Sequence, residues 1–280
     1  TQSFQSIENF DKSQLPFFYF LSKIYINGGF AVQLFWMLSG VIFSHFYYNK
    51  IENLSFKIFF YLRITRLYPI HILTLLIVLI SQLLYYKNIG EFFLINNNDI
   101  FHFILNIFLI NYWNPDFQLS FNAPFWSVSV EIFTYIVFFI LVSSRLFRKD
   151  KHLFILVLIL LIFTSLKILS PFNECLLYFF IGVLFVRKYK EITFSKLIIL
   201  LFLMTTLLII KKNNILKDSY IVSLITMLLS LSFAIVSIFL FSIKIQNLNI
   251  AIKKLIRKLS NLTYSMYMIH FSIQLILLLF

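Results

Sequence analysis

The sequence predicts an all-α fold, a polytopic bundle of about eight transmembrane helices with one additional half-helix. Two observations predict it. Hydrophobic residues make up 60% of the 280 residues and charged residues only 12%, and the mean hydropathy is +0.90, which is far above the value of a soluble domain. Apolar runs also recur along the chain, most of them near the roughly 20 residues that one bilayer crossing needs.

Eight of these apolar runs are predicted to cross the membrane. Six are long, at residues 30–48, 67–86, 123–144, 152–169, 219–242 and 260–280. Runs 175–186 and 197–210 are shorter, but the alternation of loop charge requires both to cross. Run 101–112 is shorter still and is followed by Trp113-Asn-Pro115, so we expect a half-helix there.

Basic residues cluster in short loops between the runs, which predicts the orientation of the protein. Because loops rich in Lys and Arg stay on the cytoplasmic side, four loops are predicted to be cytoplasmic: 50–66, 145–151, 187–196 and 244–258. A fifth basic loop, 211–217, falls on the outer side as an exception. The net charge of +13 is therefore a topology signal. Together with the apolar runs, it indicates a multi-pass protein of the cell (plasma or inner) membrane. We expect the lipid bilayer to be its partner and expect no binding to nucleic acid.

No linker or repeat divides the apolar part of the chain. We expect residues 1–29 to form an external loop and residues 30–280 to form one helical membrane domain. Because the chain begins at Thr1 and its last apolar run is still open at Phe280, we expect the bundle to be truncated at both ends.

Arg63 and Arg66 are the first candidate functional residues. In a helix, a spacing of three places both guanidinium groups on one face, where they form a permanently charged site suited to phosphate or carboxylate. A second interpretation is a cytoplasmic anchor for the run that starts at Leu67. Lysine would serve an anchor equally well, so two arginines followed by Tyr68 and Pro69 favour the anion site. Pro69 is expected in the first turn of that helix.

Glu131 is the second candidate, because it lies within an apolar run. It is about 12 Å from the start of run 123–144 at 1.5 Å per residue. An ionised carboxylate at that depth costs about 2.5 kcal/mol or more, so such groups usually face the bundle interior and mark a functional path. A proton-transfer role is one interpretation, and a structural partner for Arg or His on another helix is the other.

The five histidines are the third group, and His270 is the best placed of those inside spans because Tyr264, Ser265 and Tyr267 precede it and can orient its ring. A buried histidine is often only a hydrogen-bonded core residue, and this alternative holds for His45, His71, His102 and His152 as well. None has metal-ligand spacing, and Cys175 is the single cysteine, so we expect no metal site.

Four motifs in order resemble acyltransferase family 3, the membrane O-acetyltransferases of surface polysaccharides and their relatives. They are Leu34-Phe-Trp-Met-Leu-Ser-Gly-Val-Ile-Phe43, Arg63-x-x-Arg66-x-x-Pro69, Phe125-Trp-Ser-Val-Ser-Val-Glu131 and Tyr264-Ser-Met-Tyr-Met-Ile-His270. The resemblance covers the chain from about Phe30 to its end. It implies an acyl-coenzyme A donor, such as acetyl-CoA, and transfer of its acyl group to a hydroxyl of a carbohydrate or glycolipid acceptor.

The resemblance also implies residue roles. Arg63 and Arg66 match the motif that binds the donor phosphates, whereas Trp126, Ser127, Ser129 and Glu131 match the Trp-Ser-x-Ser-x-Glu motif. We therefore expect Glu131 and His270 to be catalytic and Trp126, Ser127 and Ser129 to bind substrate. An essential histidine of this family lies late in a first transmembrane helix that this chain lacks, so we expect the fragment alone to be inactive.

Hydropathy alone is also consistent with two other classes of membrane protein. One is a transporter or flippase of lipid-linked saccharides, in which the arginines would hold a diphosphate and Glu131 would couple protons. The other is a sensor or scaffold without enzymatic activity. The ordered motifs and the lack of a detectable inverted repeat favour the enzyme.

Overall fold

The computed structural model describes residues 28–48, 50–51, 54–92, 97–114, 119–144, 147, 149–188, 206, 219–246 and 249–279. Within these residues the fold is entirely helical, as predicted. The helices are α1 (Gly28–Tyr47), α2 (Phe56–Ile89), α3 (Ile100–Ile107), α4 (Trp126–Ser143), α5 (Asp150–Ser165), α6 (Phe172–Lys188), α7 (Ser219–Gln246) and α8 (Ile250–Leu279), with one 3-10 turn (Ala123–Phe125) before α4.

Every predicted run within the described residues corresponds to a helix. In the part of the chain that the structure describes, three segments are long and apolar enough to cross a membrane, namely Gly28–Tyr47, Phe56–Ile89 and Ala123–Ser143. Helix α3 has eight residues and is therefore about 12 Å long, as a half-helix should be. The predicted external loop 1–29 and span 197–210 lie outside the described residues, apart from positions 28, 29 and 206.

Helix α2 begins earlier than the sequence predicted. It starts at Phe56 because the Ser55 side chain caps it, accepting a hydrogen bond from the Ile58 amide at 3.3 Å. The prediction that Pro69 occupies a first turn is wrong, since Pro69 lies inside the helix. A proline in a helix interior removes one backbone hydrogen bond, and transmembrane helices tolerate this loss. Residues 56–66 are therefore helical rather than loop.

Helix α8 likewise begins at Ile250, ten residues before the predicted span. Its first ten residues include most of the lysines and arginines of the predicted loop 244–258. The charge lowers the hydropathy of this stretch, but Lys and Arg are good helix formers. Hydropathy therefore located the apolar part of the helix and missed its polar beginning.

The described residues fall into two compact units. The first contains those of Leu54–Phe133 and Asn249–Phe280. In this unit α8 packs along α2 and against the 3-10 turn, and α3 packs on α2. Its core joins α2, the segment before the 3-10 turn and α8 through Leu75, Val78, Phe121, Ala123, Phe271 and Leu275.

The second unit contains the described residues of Gly29–Asn53 and Thr134–Leu248. Its core is aromatic: the ring centroid of Phe43 lies 5.5 Å from that of Phe138 and 5.3 Å from that of Phe179, both edge-to-face. Helices α1 and α6 approach closely at Gly40 and Gly182, where an added Cβ atom would overlap the backbone of the facing helix.

Candidate active site

The two arginines lie on the helical part of α2 that precedes Pro69. Because residues 56–89 form one continuous helix, the spacing of three places Arg63 and Arg66 on the same face. The condition on which the anion-site prediction depended is therefore met. Arg63 is half-buried and Arg66 is exposed, so one guanidinium group is partly shielded from solvent while the other is accessible.

Glu131 lies in α4 and is 1% exposed, as the prediction of an inward-facing carboxyl requires. Its charge and that of Arg66 both act on the hydroxyl group of Tyr264, and its charge also acts on Tyr267. Tyr264 is itself buried, and its hydroxyl lies 3.4 Å from the Leu67 carbonyl oxygen. Within the first unit, α2 and α4 thus place Arg66 and Glu131 within electrostatic range of the same phenol on α8, that of Tyr264.

Ser127 holds the beginning of α4 against α8. Its Oγ donates to the Pro124 carbonyl oxygen at 3.1 Å and lies 2.6 Å from the Tyr267 hydroxyl. The Tyr267 hydroxyl also lies 3.0 Å from the Pro124 carbonyl oxygen. This network fixes the first turn of α4, one turn before Glu131.

Ser129 and Trp126 hold the other side of the same turn. The Ser129 hydroxyl accepts a hydrogen bond from the Tyr112 amide at 3.3 Å, and its carbonyl oxygen accepts one from the Trp113 indole at 3.0 Å. The Trp126 ring lies 5.7 Å from that of Tyr112. The contacts of Ser127 and Ser129 are thus with the protein, and the roles of Trp126, Ser127 and Ser129 in substrate binding stay predictions.

His270 lies on an exposed side of α8. Its Nδ1 bonds to the Tyr267 carbonyl oxygen one turn earlier, and its ring lies 5.6 Å from that of Tyr267. The Tyr267 carbonyl oxygen therefore fixes the ring, and the catalytic role of His270 stays a prediction. Tyr264 is buried and Tyr267 half-buried, and the Glu131 carboxyl group lies within electrostatic range of both phenols.

Helix α3 is fixed on α2 by polar contacts. Asp99 caps its first turn by accepting from the His102 amide at 2.8 Å, and this bond, with that of the His102 ring, holds the pKa of Asp99 below its ordinary value. At the other end, Tyr68 donates to the Ile107 carbonyl oxygen at 2.7 Å, and His71 Nε2 lies 2.8 Å from the Asn106 carbonyl oxygen.

Sequence reasoning missed a group of buried polar side chains beside this contact. Asn106, Asn111, Ser120 and Asn122 are each at most 1% exposed. The available signal was the recurrence of asparagine around the predicted half-helix, a residue type that is rarely buried without a partner. Among the described residues, no group of three His, Cys, Asp or Glu side chains is placed to hold a metal ion.

The fold and the site define the class of protein: an all-helical protein with apolar, membrane-length helices and a buried polar site in one of its units. The chain belongs to acyltransferase family 3, because the family model described as an acyltransferase domain matches residues 3–280. The match begins upstream of the first motif that carried the resemblance, and it confirms that resemblance. No curated protein and no solved structure matches the chain.

Proposed function

We propose that this protein is a membrane O-acyltransferase that moves an acetyl group from acetyl-CoA to a hydroxyl group of a cell-surface sugar or polysaccharide. Membership of the acyltransferase family supports the reaction class and favours it over a saccharide transporter. The observation that carries the proposal is that Arg66 and the buried carboxyl group of Glu131 both lie within electrostatic range of the Tyr264 phenol. A group suited to the donor phosphates and a group suited to proton transfer thus share one neighbour.

In this mechanism Arg63 and Arg66 pair with the phosphates of acetyl-CoA. Arginine suits this role because its planar guanidinium binds phosphate through paired, charge-assisted hydrogen bonds. Arg66 is exposed and can meet the donor first, whereas Arg63 is half-buried and strengthens the attraction where less water screens it. The donor is thereby held with its thioester toward the bundle.

The transfer step exchanges one ester bond for another. The acceptor hydroxyl oxygen attacks the thioester carbonyl carbon, a C–O bond forms, the C–S bond breaks and coenzyme A leaves as a thiolate. Glu131 shuttles the proton that the hydroxyl group loses to this thiolate. The phenols of Tyr264 and Tyr267 lie within electrostatic range of the carboxyl group, so it has polar neighbours when its charge changes.

The first test measures label transfer from radioactive acetyl-CoA to glycan in membranes that contain the complete protein. Arg63→Ala and Arg66→Ala should each reduce transfer by a factor of ten or more, since a charge-assisted bond contributes about 1.5–3 kcal/mol. Lys57→Ala is the matched control, because Lys57 is an exposed cation on the same helix. Wild-type rates in both arginine variants, at equal protein levels, would refute their role.

A second variant tests the proton-transfer role. Glu131→Gln keeps the shape and the hydrogen-bonding capacity of the side chain but cannot exchange a proton. We expect the rate of transfer to fall 100-fold or more while the protein level and the KM for acetyl-CoA stay near those of the wild type. Full activity of Glu131→Gln would show that the carboxyl group is structural.

A further inference from the structure

Five buried side chains of the first unit carry an acceptor atom without a hydrogen-bond partner among the described residues, and three of the five lie close together. They are Nδ1 of His71, Oδ1 of Asn106 and Oδ1 of Asn122, and all three residues are fully buried. Leaving such an atom unpaired in the protein interior is unfavourable, so three in one region indicate a binding partner. Oδ1 of Asn111 is in the same state.

The hydrogen bonds that these side chains do make fix their orientation. Nδ2 of Asn106 donates to the His102 carbonyl oxygen at 2.9 Å and to Ser120 Oγ at 2.8 Å. Nδ2 of Asn122 donates to the Met268 carbonyl oxygen at 3.4 Å. Because a carbonyl oxygen only accepts, the amide atom that faces it is the nitrogen, and the unpaired atom of each amide is the acceptor oxygen.

The Asn106 carbonyl oxygen likewise fixes the tautomer of His71. Its Nε2 lies 2.8 Å from the Asn106 carbonyl oxygen, so Nε2 carries the proton. In the neutral ring, Nδ1 is then an acceptor. The ring lies 4.5 Å from that of Phe125 and 5.8 Å from that of Tyr68, and these apolar surfaces favour the neutral form.

The three side chains are close to one another. His71 contacts the backbone of Asn106 directly, and its ring packs on Phe125, whose amide donates to the Asn122 carbonyl oxygen at 3.0 Å. His71 also lies five residues beyond Arg66 on α2, about 7.5 Å along the helix axis. The three side chains therefore lie in one polar region, about one and a half turns of α2 beyond Arg66.

We propose that His71, Asn106 and Asn122 form the subsite that binds the hydroxyl groups of the acceptor sugar. All three unpaired atoms are hydrogen-bond acceptors, so the ligand must offer several donors, and neighbouring hydroxyl groups of a pyranoside are such donors. An anion would be repelled by these atoms. This inference rests on the proposed function, because it assigns the binding place of the acceptor in that reaction.

The test measures binding of methyl glycosides of glucose, galactose and rhamnose to the purified complete protein, by ligand-induced thermal stabilisation without acetyl-CoA. His71→Gln keeps a donor to the Asn106 carbonyl oxygen but removes Nδ1, and Asn122→Leu removes the amide oxygen at similar volume. We expect each variant to weaken glycoside binding three- to tenfold, the size of one lost hydrogen bond. His45→Gln, at an exposed histidine on α1, should bind as the wild type does.

Analogues of the glycoside provide the second arm. Replacing single hydroxyl groups by methoxy groups keeps the oxygen but removes the hydrogen-bond donor, so these analogues should bind more weakly than the glycoside to the wild type. The difference in affinity between glycoside and analogue should be smaller for Asn122→Leu, which lacks the acceptor oxygen. Equal glycoside binding by the wild type and both variants, or no binding to the wild type, would overturn the subsite and leave bound water as the partner of these atoms. Failure of acetyl transfer with intact glycoside binding would instead refute only the proposed reaction.

Discussion

Gly40→Ala should strongly destabilise the protein, although it adds only one methyl group. A Cβ atom at Gly40 would lie 2.7 Å from the Phe179 carbonyl carbon and closer still to the Phe179 carbonyl oxygen. Ordinary van der Waals contact begins at 3.4 Å, so even the distance to the carbon is 0.7 Å too short. The obstacle is backbone, so no side-chain rotation can relieve the overlap, and α1 must move away from α6. Overpacking of this kind costs about 3 kcal/mol, and the gain of about 1 kcal/mol from glycine to alanine in a helix offsets only part of it. The net expected loss is about 2 kcal/mol.

The assay is thermal unfolding of the purified protein in detergent, followed by circular dichroism at the helix bands. Gly29→Ala is the matched control, because it lies in the same helix and an added Cβ atom there meets nothing within 4 Å. It should leave the midpoint unchanged or raise it. The packing argument fails if Gly40→Ala unfolds at the same temperature as the wild type. A Gly182→Ala variant should behave as Gly40→Ala does, since its Cβ atom would overlap the backbone at Met37.

Two further predictions concern polar contacts. Partial burial raises the pKa of Asp150, but hydrogen bonds from Arg187 and Lys188 outweigh it and leave the pKa below its ordinary value. The ion pairs should therefore add about 1 kcal/mol or less to the stability at neutral pH, and this contribution should be lost as the pH falls through the lowered pKa. The unfolding temperature of Asp150→Asn should match that of the wild type only in acid. An equal loss of stability at all pH values would contradict the ion pairs of Asp150. Tyr267→Phe and Ser127→Ala should each destabilise the protein by about 1 kcal/mol. Because the two hydroxyl groups interact, the double variant should lose less stability than the sum of the two single losses. Strict additivity would show that the hydroxyl groups do not interact.

The apolar helices could be predicted from the sequence because residues that face lipid must be apolar. Each apolar run within the described residues became a helix, and the short run at 101–112 became the half-helix α3. The first residues of α2 and α8 were harder to predict, because Lys and Arg lower the hydropathy without disfavouring the helix. Ser55 was the missing signal for α2, since its side chain caps the first turn.

The candidate site was only partly predictable. The spacing of Arg63 and Arg66 and the depth of Glu131 identified charged groups that are costly to place in a membrane. No local pattern shows that Arg66 and Glu131 lie within electrostatic range of Tyr264 in the folded unit. The acceptor atoms of His71, Asn106 and Asn122 depend on how α2, α3 and α8 meet. Such contacts between distant segments are a property of tertiary packing, which sequence periodicity does not contain.

The most direct test of the central claim is the fate of the acetyl label itself. Membranes that contain the complete protein are incubated with acetyl-CoA labelled in the acetyl group, and the isolated glycan is then treated with mild alkali. Transfer to a hydroxyl group predicts label in the glycan that alkali releases as acetate, and no such label in membranes that carry Glu131→Gln. Glycan without label, or label that resists alkali as an amide would, would contradict O-acyl transfer.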